Sequence, residues 1–109
     1  MSIGSQIPAG EPLALDSLVT LTAHGIASRI LARAGGGSVT LFAFDAGQSL
    51  TEHTSPFEAL VLVLQGALML TIGGVAALAT PGTIVRMPAN VSHAVDATEA
   101  SRMLLIMLK

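Results

Sequence analysis

Few side chains in this 109-residue chain can do chemistry: there are three histidines, seven carboxylates and no cysteine. Thiolate nucleophiles and disulfides are therefore excluded. Imidazole is the versatile group that remains, as a neutral ligand suited to Zn, Fe, Ni or Cu and as a hydrogen-bonding group. His53 stands just ahead of Pro56 and the apolar run Ala59–Leu64, and His93 opens the stretch Ser92–Ala97. Each sits beside the mouth of a buried strand, where a small β-barrel would keep a site. His24, in Ala23-His24-Gly25, reads as a solvated turn residue. Ser55 can donate a hydrogen bond, but no G-x-S-x-G elbow surrounds it to make a nucleophile. Glu52 and Glu58 neighbour His53 in the chain and are expected to face outward. The glycine pairs lie in no phosphate-binding or dinucleotide fingerprint and read as turns.

The elements that must position these groups are strands. Residues 1–12 read as an N-terminal arm and 13–109 as one barrel domain. Leu13–Thr22 is expected to begin as a helical turn and end as a strand. Ser28–Ala34 alternates, with Arg29 and Arg33 expected on one side; Gly35–Gly37 is a turn, and Ser38–Asp45 a strand apolar on both faces. Ala59–Gln65, Ala67–Ile72, Val75–Leu78, Thr83–Met87, Ser92–Ala97 and Met103–Leu108 follow, with Gly66, Gly73-Gly74, Thr80-Pro81-Gly82 and Pro88-Ala89-Asn90 between them. Short strands with turn signals at this spacing, and no sustained helical period, predict an all-β sandwich or barrel.

Composition narrows the function. Charged residues make up 11% and hydrophobic ones 51%, with aromatics at 3%. The charged fraction is less than half of the roughly 25% usual in globular domains. An aliphatic core follows, and so does an apolar face in want of cover, for which a homodimer is the expected solution. A net charge of −2 with scattered basic residues offers no footprint for nucleic acid. The uncharged stretch within Ala59–Ala79 is long enough to raise a membrane helix, but Gln65, Thr71, Gly66, Gly73 and Gly74 interrupt it, and no membrane association is expected. No basic and then apolar leader opens the chain, so a cytoplasmic protein is the expectation.

Two stretches carry a family resemblance. Gly47 is followed by five residues, His53-Thr54-Ser55, three residues, Ala59, six residues and Gly66; Gly82 is followed by five residues, Pro88-Ala89-Asn90, two residues, His93, three residues and Ala97. The spacing resembles the two motifs of the cupins, small β-barrels, and implies a cupin-type double-stranded β-helix, or jelly roll. The resemblance further implies a divalent metal (Zn, Ni, Fe or Mn) held by two His and one Glu of the first motif and one His of the second. His53 and His93 fill the first and last of those slots. Ser55 stands where the second His belongs and Ala59 where the Glu belongs. Glu58, one residue away, points to the opposite face at a side-chain period of two.

Counting in twos from the histidines turns Val61 and Val63 inward with Ala59, and Val95 inward with His93. Met103, Leu105 and Met107 follow on the last strand. The ligand-binding set expected is His53, Ser55, Ala59, Val61, Phe44, His93, Val95 and Met103, with His53 and His93 as metal ligands. The chain is thus read as a small-molecule-binding protein with a reduced two-His site that weakly holds a divalent metal. The alternatives are a metal-dependent enzyme of dioxygenase or isomerase type, with water or substrate completing the coordination, and a non-catalytic sensor or interaction module.

Overall fold

The computed structural model describes residues 6–109. Among these described residues nine strands succeed one another: β1 (Ile26–Ala34), β2 (Gly37–Phe44), β3 (Ser49–His53), β4 (Glu58–Gln65), β5 (Leu68–Ile72), β6 (Val75–Ala79), β7 (Ile84–Met87), β8 (His93–Ala97) and β9 (Ser101–Leu108). They form a five-stranded sheet ordered β1-β2-β9-β4-β7 and a four-stranded sheet ordered β3-β8-β5-β6, with every pairing antiparallel. The two sheets pack face to face as a jelly-roll barrel, as the strand spacing and the motif resemblance predict. Among the described residues no helix is long and apolar enough to cross a membrane.

Alternation decides which side chains fill the barrel. On β4, Ala59, Val61 and Val63 are buried, while Leu60, Leu62 and Leu64 between them are half-buried on the outer face. Phe44, Leu68, Leu70, Val95, Ala97 and Met103 join them in one aliphatic core. Phe42 and Phe44 lie on the same face with ring centroids 6.0 Å apart.

Close approach explains two glycines. A Cβ on Gly66, whose φ is +79°, would stand 2.3 Å from the Ala100 carbonyl oxygen. One on Gly37 would stand 2.0 Å from that of Met107. No side chain fits at either place.

Several expectations are corrected. Ser49–His53, for which the sequence predicts no strand, is β3; it is a short edge strand with Leu50 as its one large apolar residue, so its alternation is faint. Leu13–Thr22 contains a single 3-10 turn at Leu15–Ser17 and no strand. Arg29 and Arg33 lie on opposite faces, because the register shifts between Ile30 and Ala32: Arg29 pairs with Leu41 and Arg33 with Ser38. Leu31 is the extra residue of that bulge.

The outer face of the five-stranded sheet is covered in part by the chain itself. Leu41 and Ala43, on that face, have 0% exposure. Arg29, beside Leu41 in the ladder, donates to the Leu18 carbonyl at 3.4 Å, and Arg102, beside Ala43, donates to that of Val19 at 2.7 Å. These two bonds hold the segment before β1 across the sheet. Ile7 N–H donates to the Leu31 carbonyl at 2.9 Å and Arg33 N–H to Gln6 Oε1 at 2.7 Å, so the described part of the N-terminal arm is tied to β1. The rest of the arm, residues 1–5, lies outside the described residues.

Candidate functional site

β3 and β8 are neighbours in the four-stranded sheet, and His53 is directly opposite His93. A bulge makes this possible. Leu50 pairs with Val95 and His53 with His93, three steps along β3 against two along β8. Without the extra residue, Leu50 and His53 would point to opposite faces; with it, both face the interior. His93 is 6% exposed, whereas His53 closes over it from the solvent side as an exposed residue.

The two rings meet edge to face, with centroids 4.3 Å apart and planes at 70°. Their Nε2 atoms are 3.1 Å apart. Each Nδ1 is committed elsewhere: that of His53 lies 2.7 Å from the Thr51 carbonyl oxygen, and that of His93 lies 3.2 Å from the Val91 carbonyl oxygen. A carbonyl can only accept, so these partners assign the proton to Nδ1 on both rings. When both imidazoles are neutral, two bare Nε2 lone pairs therefore converge. Such a pair is completed by one electrophile, either a proton or a metal ion. The backbone carbonyls at Nδ1 are the usual supports that orient ligating imidazoles.

The surrounding groups add no strong third donor. Among the described residues there is no cluster of three or more His, Cys, Asp or Glu able to hold a metal. Ala59 is buried and has no donor atom. Ser55 Oγ accepts the Phe57 N–H at 3.2 Å, and its carbonyl accepts the Asn90 N–H at 2.8 Å, which joins the two loops that carry the histidines. Glu58 faces outward, where its carboxylate accepts the Ala89 N–H at 3.0 Å and pairs with Arg86 at 2.8 Å. The Ala89 N–H first, and Arg86 second, hold its carboxyl below the ordinary glutamate range. Glu52 accepts from Ser92 Oγ at 3.3 Å. His24 lies apart from the pair, exposed in a left-handed conformation with φ 58°, its N–H on Asp45 Oδ2 at 2.7 Å. The two imidazoles fit a metal whose remaining positions go to water or ligand. A self-sufficient protein site supplies at least three ligands.

The other residues expected around a ligand sit deeper. Phe44, Val61, Val95 and Met103 have exposures of 0–2% and form closed core beneath the histidine pair. Ile72 stands opposite His93, and on the other sheet Met87 and Met107 are both directly opposite Ala59. Met87 is the residue that reading the sequence missed. Its signal is the alternation Val85-Arg86-Met87, in which a charged residue facing water turns its neighbours inward. A shallow apolar concavity of about 300 Å³, lined by Ala32, Val39, Ile106 and Leu108 among others, contains neither histidine.

Comparison with known proteins settles the ancestry. The cupin domain family matches residues 40–109. The chain belongs to the cupin family. A conserved protein of unknown function from Streptococcus pyogenes is similar to this cupin at 33% identity and a TM-score of 0.89, over 95% of this chain and 91% of that one. A cupin superfamily protein from Desulfitobacterium hafniense is 29% identical with a TM-score of 0.87, over 94% of each chain. A cupin 2 conserved barrel domain protein from Leptotrichia buccalis is 34% identical with a TM-score of 0.81, over 84% of this chain and 45% of that one. No curated protein matches this cupin.

The left-handed residue of its second motif is Asn90, with φ 64°. It occupies the place where the motif usually has glycine, and Asn is among the few other residues that adopt this conformation readily.

Proposed function

We propose that this cupin binds a small, weakly polar molecule at the barrel mouth, anchored by His53 and His93 and aided by a divalent metal held weakly between them. The observation that carries the reading is the 3.1 Å approach of two Nε2 atoms whose Nδ1 partners are already bonded to backbone carbonyls. The apolar surroundings, from Ile72 to Ala59, favour a ligand with few polar groups. A bound divalent ion supplies Lewis acidity toward an oxygen of the ligand. The protein's own part is to orient both imidazoles and to exclude water from the buried side of His93.

The exposed position of His53 favours a second reading, a metal-dependent enzyme of dioxygenase or isomerase type, because coordination positions face solvent and are free for substrate. Metal analysis of untagged protein purified in metal-free buffer separates the two. Substoichiometric, readily exchanged metal and a stably folded metal-free protein support the binding function. Near-stoichiometric metal that His53→Ala abolishes supports the enzyme. Metal uptake indifferent to both histidines overturns both, and a non-catalytic interaction module is then the reading that remains.

A homodimer is part of the proposal. Ile84 and Leu108 are 57% and 48% exposed on the five-stranded sheet, beside the half-buried Leu60, Leu62 and Ile106. Among the described residues the segment before β1 leaves this part of the face open, and a second copy packed sheet to sheet would cover it. Sedimentation of Ile106→Glu should show a shift to monomer; an unchanged mass would refute the interface.

A further inference from the structure

We infer that β6 is a strand-pairing edge that takes the β6 of a second copy, antiparallel, across a two-fold axis at Ala77. This surface belongs to the four-stranded sheet and is independent of the histidine pair and of the outer face of the five-stranded sheet.

The edges of the two sheets are β1, β7, β3 and β6, and they are not alike. β1 is bulged at Leu31, carries Arg29 and Arg33, and is bonded along part of its length by Gln6 and Ile7. β3 is bulged and carries Glu52, and β7 is four residues long and carries Arg86. Charge, bulges, shortness and cover are the devices that stop an edge from pairing with another chain. β6 reads Val75-Ala76-Ala77-Leu78-Ala79, with no charge, no proline and an unbroken register against β5. Its first four residues are exposed, and among the described residues β5 is its one ladder partner.

The hairpin fixes which backbone groups are open. Gly73 and Gly74, with φ 58° and 84°, form a two-residue turn that Ile72 and Val75 close. The closing pair of such a turn is hydrogen-bonded, and bonded pairs alternate along an antiparallel ladder. Val75, Ala77 and Ala79 therefore spend their N–H and C=O groups on β5, while those of Ala76 and Leu78 point away from the sheet. Side chains repeat the picture. Val75 shares the inner face with Ala79, which is 3% exposed, yet Val75 is itself 71% exposed because no strand of its sheet lies beyond it.

The occupant follows from these groups. Donors and acceptors on alternate residues call for an extended chain, and an uncharged edge calls for an uncharged one. A second β6 meets both demands in one register. With Ala77 opposite Ala77, Ala76 of each copy opposes Leu78 of the other, and each of those pairs exchanges both of its bonds. Val75 then opposes Ala79, so both large side chains meet an alanine and no like charges are opposed. The interface is isologous, as a two-fold axis requires. One short strand buries little area, so the pairing is weak, with a Kd of about 0.1–1 mM.

The test uses the full-length Ile106→Glu protein, which removes the sheet-to-sheet interface, in a sedimentation series from about 10 μM to about 1 mM, a range set to span that Kd. The mass should be that of a monomer at the dilute end and approach a dimer at the concentrated end. Adding Leu78→Lys, a charge placed on the edge, should hold the protein monomeric throughout. Amide exchange of the same protein followed by NMR should slow with concentration at Ala76 and Leu78 and stay unchanged at Ala77, whose N–H already serves β5. Wild type should show the same two slowed amides, a readout that stands even where Ile106→Glu folds poorly. Exchange at Ala76 and Leu78 indifferent to concentration, or association that Leu78→Lys leaves intact, overturns the β6 edge. Neither result bears on the histidine reading, and the sheet-to-sheet interface is judged separately by the dilute mass of wild type against Ile106→Glu.

Discussion

The Glu58 carboxylate holds the Ala89 N–H at 3.0 Å, which ties the first strand after one histidine to the loop before the other. Arg86 joins on the solvent side, with side-chain exposures of 63% for Arg86 and 41% for Glu58. In that exposed setting the ion pair itself contributes little, and the bond to the loop is the structural part of the interaction.

A pH dependence follows. The folded-state carboxyl titrates below the ordinary glutamate value of 4.5, so its contribution is fully present above that pH and is lost as pH falls through the lower, folded value. Thermal melting of wild type and Glu58→Gln should differ at neutral pH, with wild type higher. The gap should close as pH falls below 4.5. A gap that persists unchanged into strong acid would contradict this assignment.

The histidines should separate in stability and agree in binding. His53 is exposed and His93 is 6% exposed. His53→Ala should alter unfolding free energy by no more than about 0.5 kcal/mol, as for surface changes. His93→Ala should cost about 1–3 kcal/mol, because it disturbs a buried polar contact. Both should abolish site-specific metal uptake, measured by titration on metal-free protein.

Asn90 supplies a backbone test. At φ 64°, glycine fits without strain and a β-branched residue does not. Asn90→Gly should be neutral or slightly stabilising, whereas Asn90→Val should cost about 1–2 kcal/mol. The second change should also loosen His93 through the Asn90 N–H to Ser55 carbonyl bond, visible as faster amide exchange at Asn90.

Met103 distinguishes core from ligand lining. It is 1% exposed and packs beneath the histidine level. Met103→Ala should cost about 2–5 kcal/mol by denaturant unfolding. Ligand and metal affinities of the folded fraction should stay close to those of wild type. A variant that binds differently while losing little stability would move Met103 into the pocket.

Much of this was legible in one dimension. The run from Ala59 to Leu64 names its own inner face once one residue is placed, and β4 buries Ala59, Val61 and Val63 as alternation requires. Glu58 was readable as outward-facing by the same period of two, and its bond to Ala89 agrees. β3 was harder, since five mostly polar residues with one leucine carry almost no periodic signal. The bulges at Leu31 and before His53 were not readable at all: they show in the pairing of two strands, and nothing in either strand alone marks them.

By itself the sequence determined the class of the fold, the aliphatic core and the pair of histidines, because hydrophobic alternation, glycine turns and motif spacing are local properties. Tertiary structure decided that His53 faces His93, since that depends on one extra residue in β3 measured against β8. It also decided that part of the outer sheet is covered by the chain's own N-terminal segment, through Arg29 and Arg102. Finally, it set two methionines from different strands on either side of Ala59, a neighbourhood that exists only once three strands are in register.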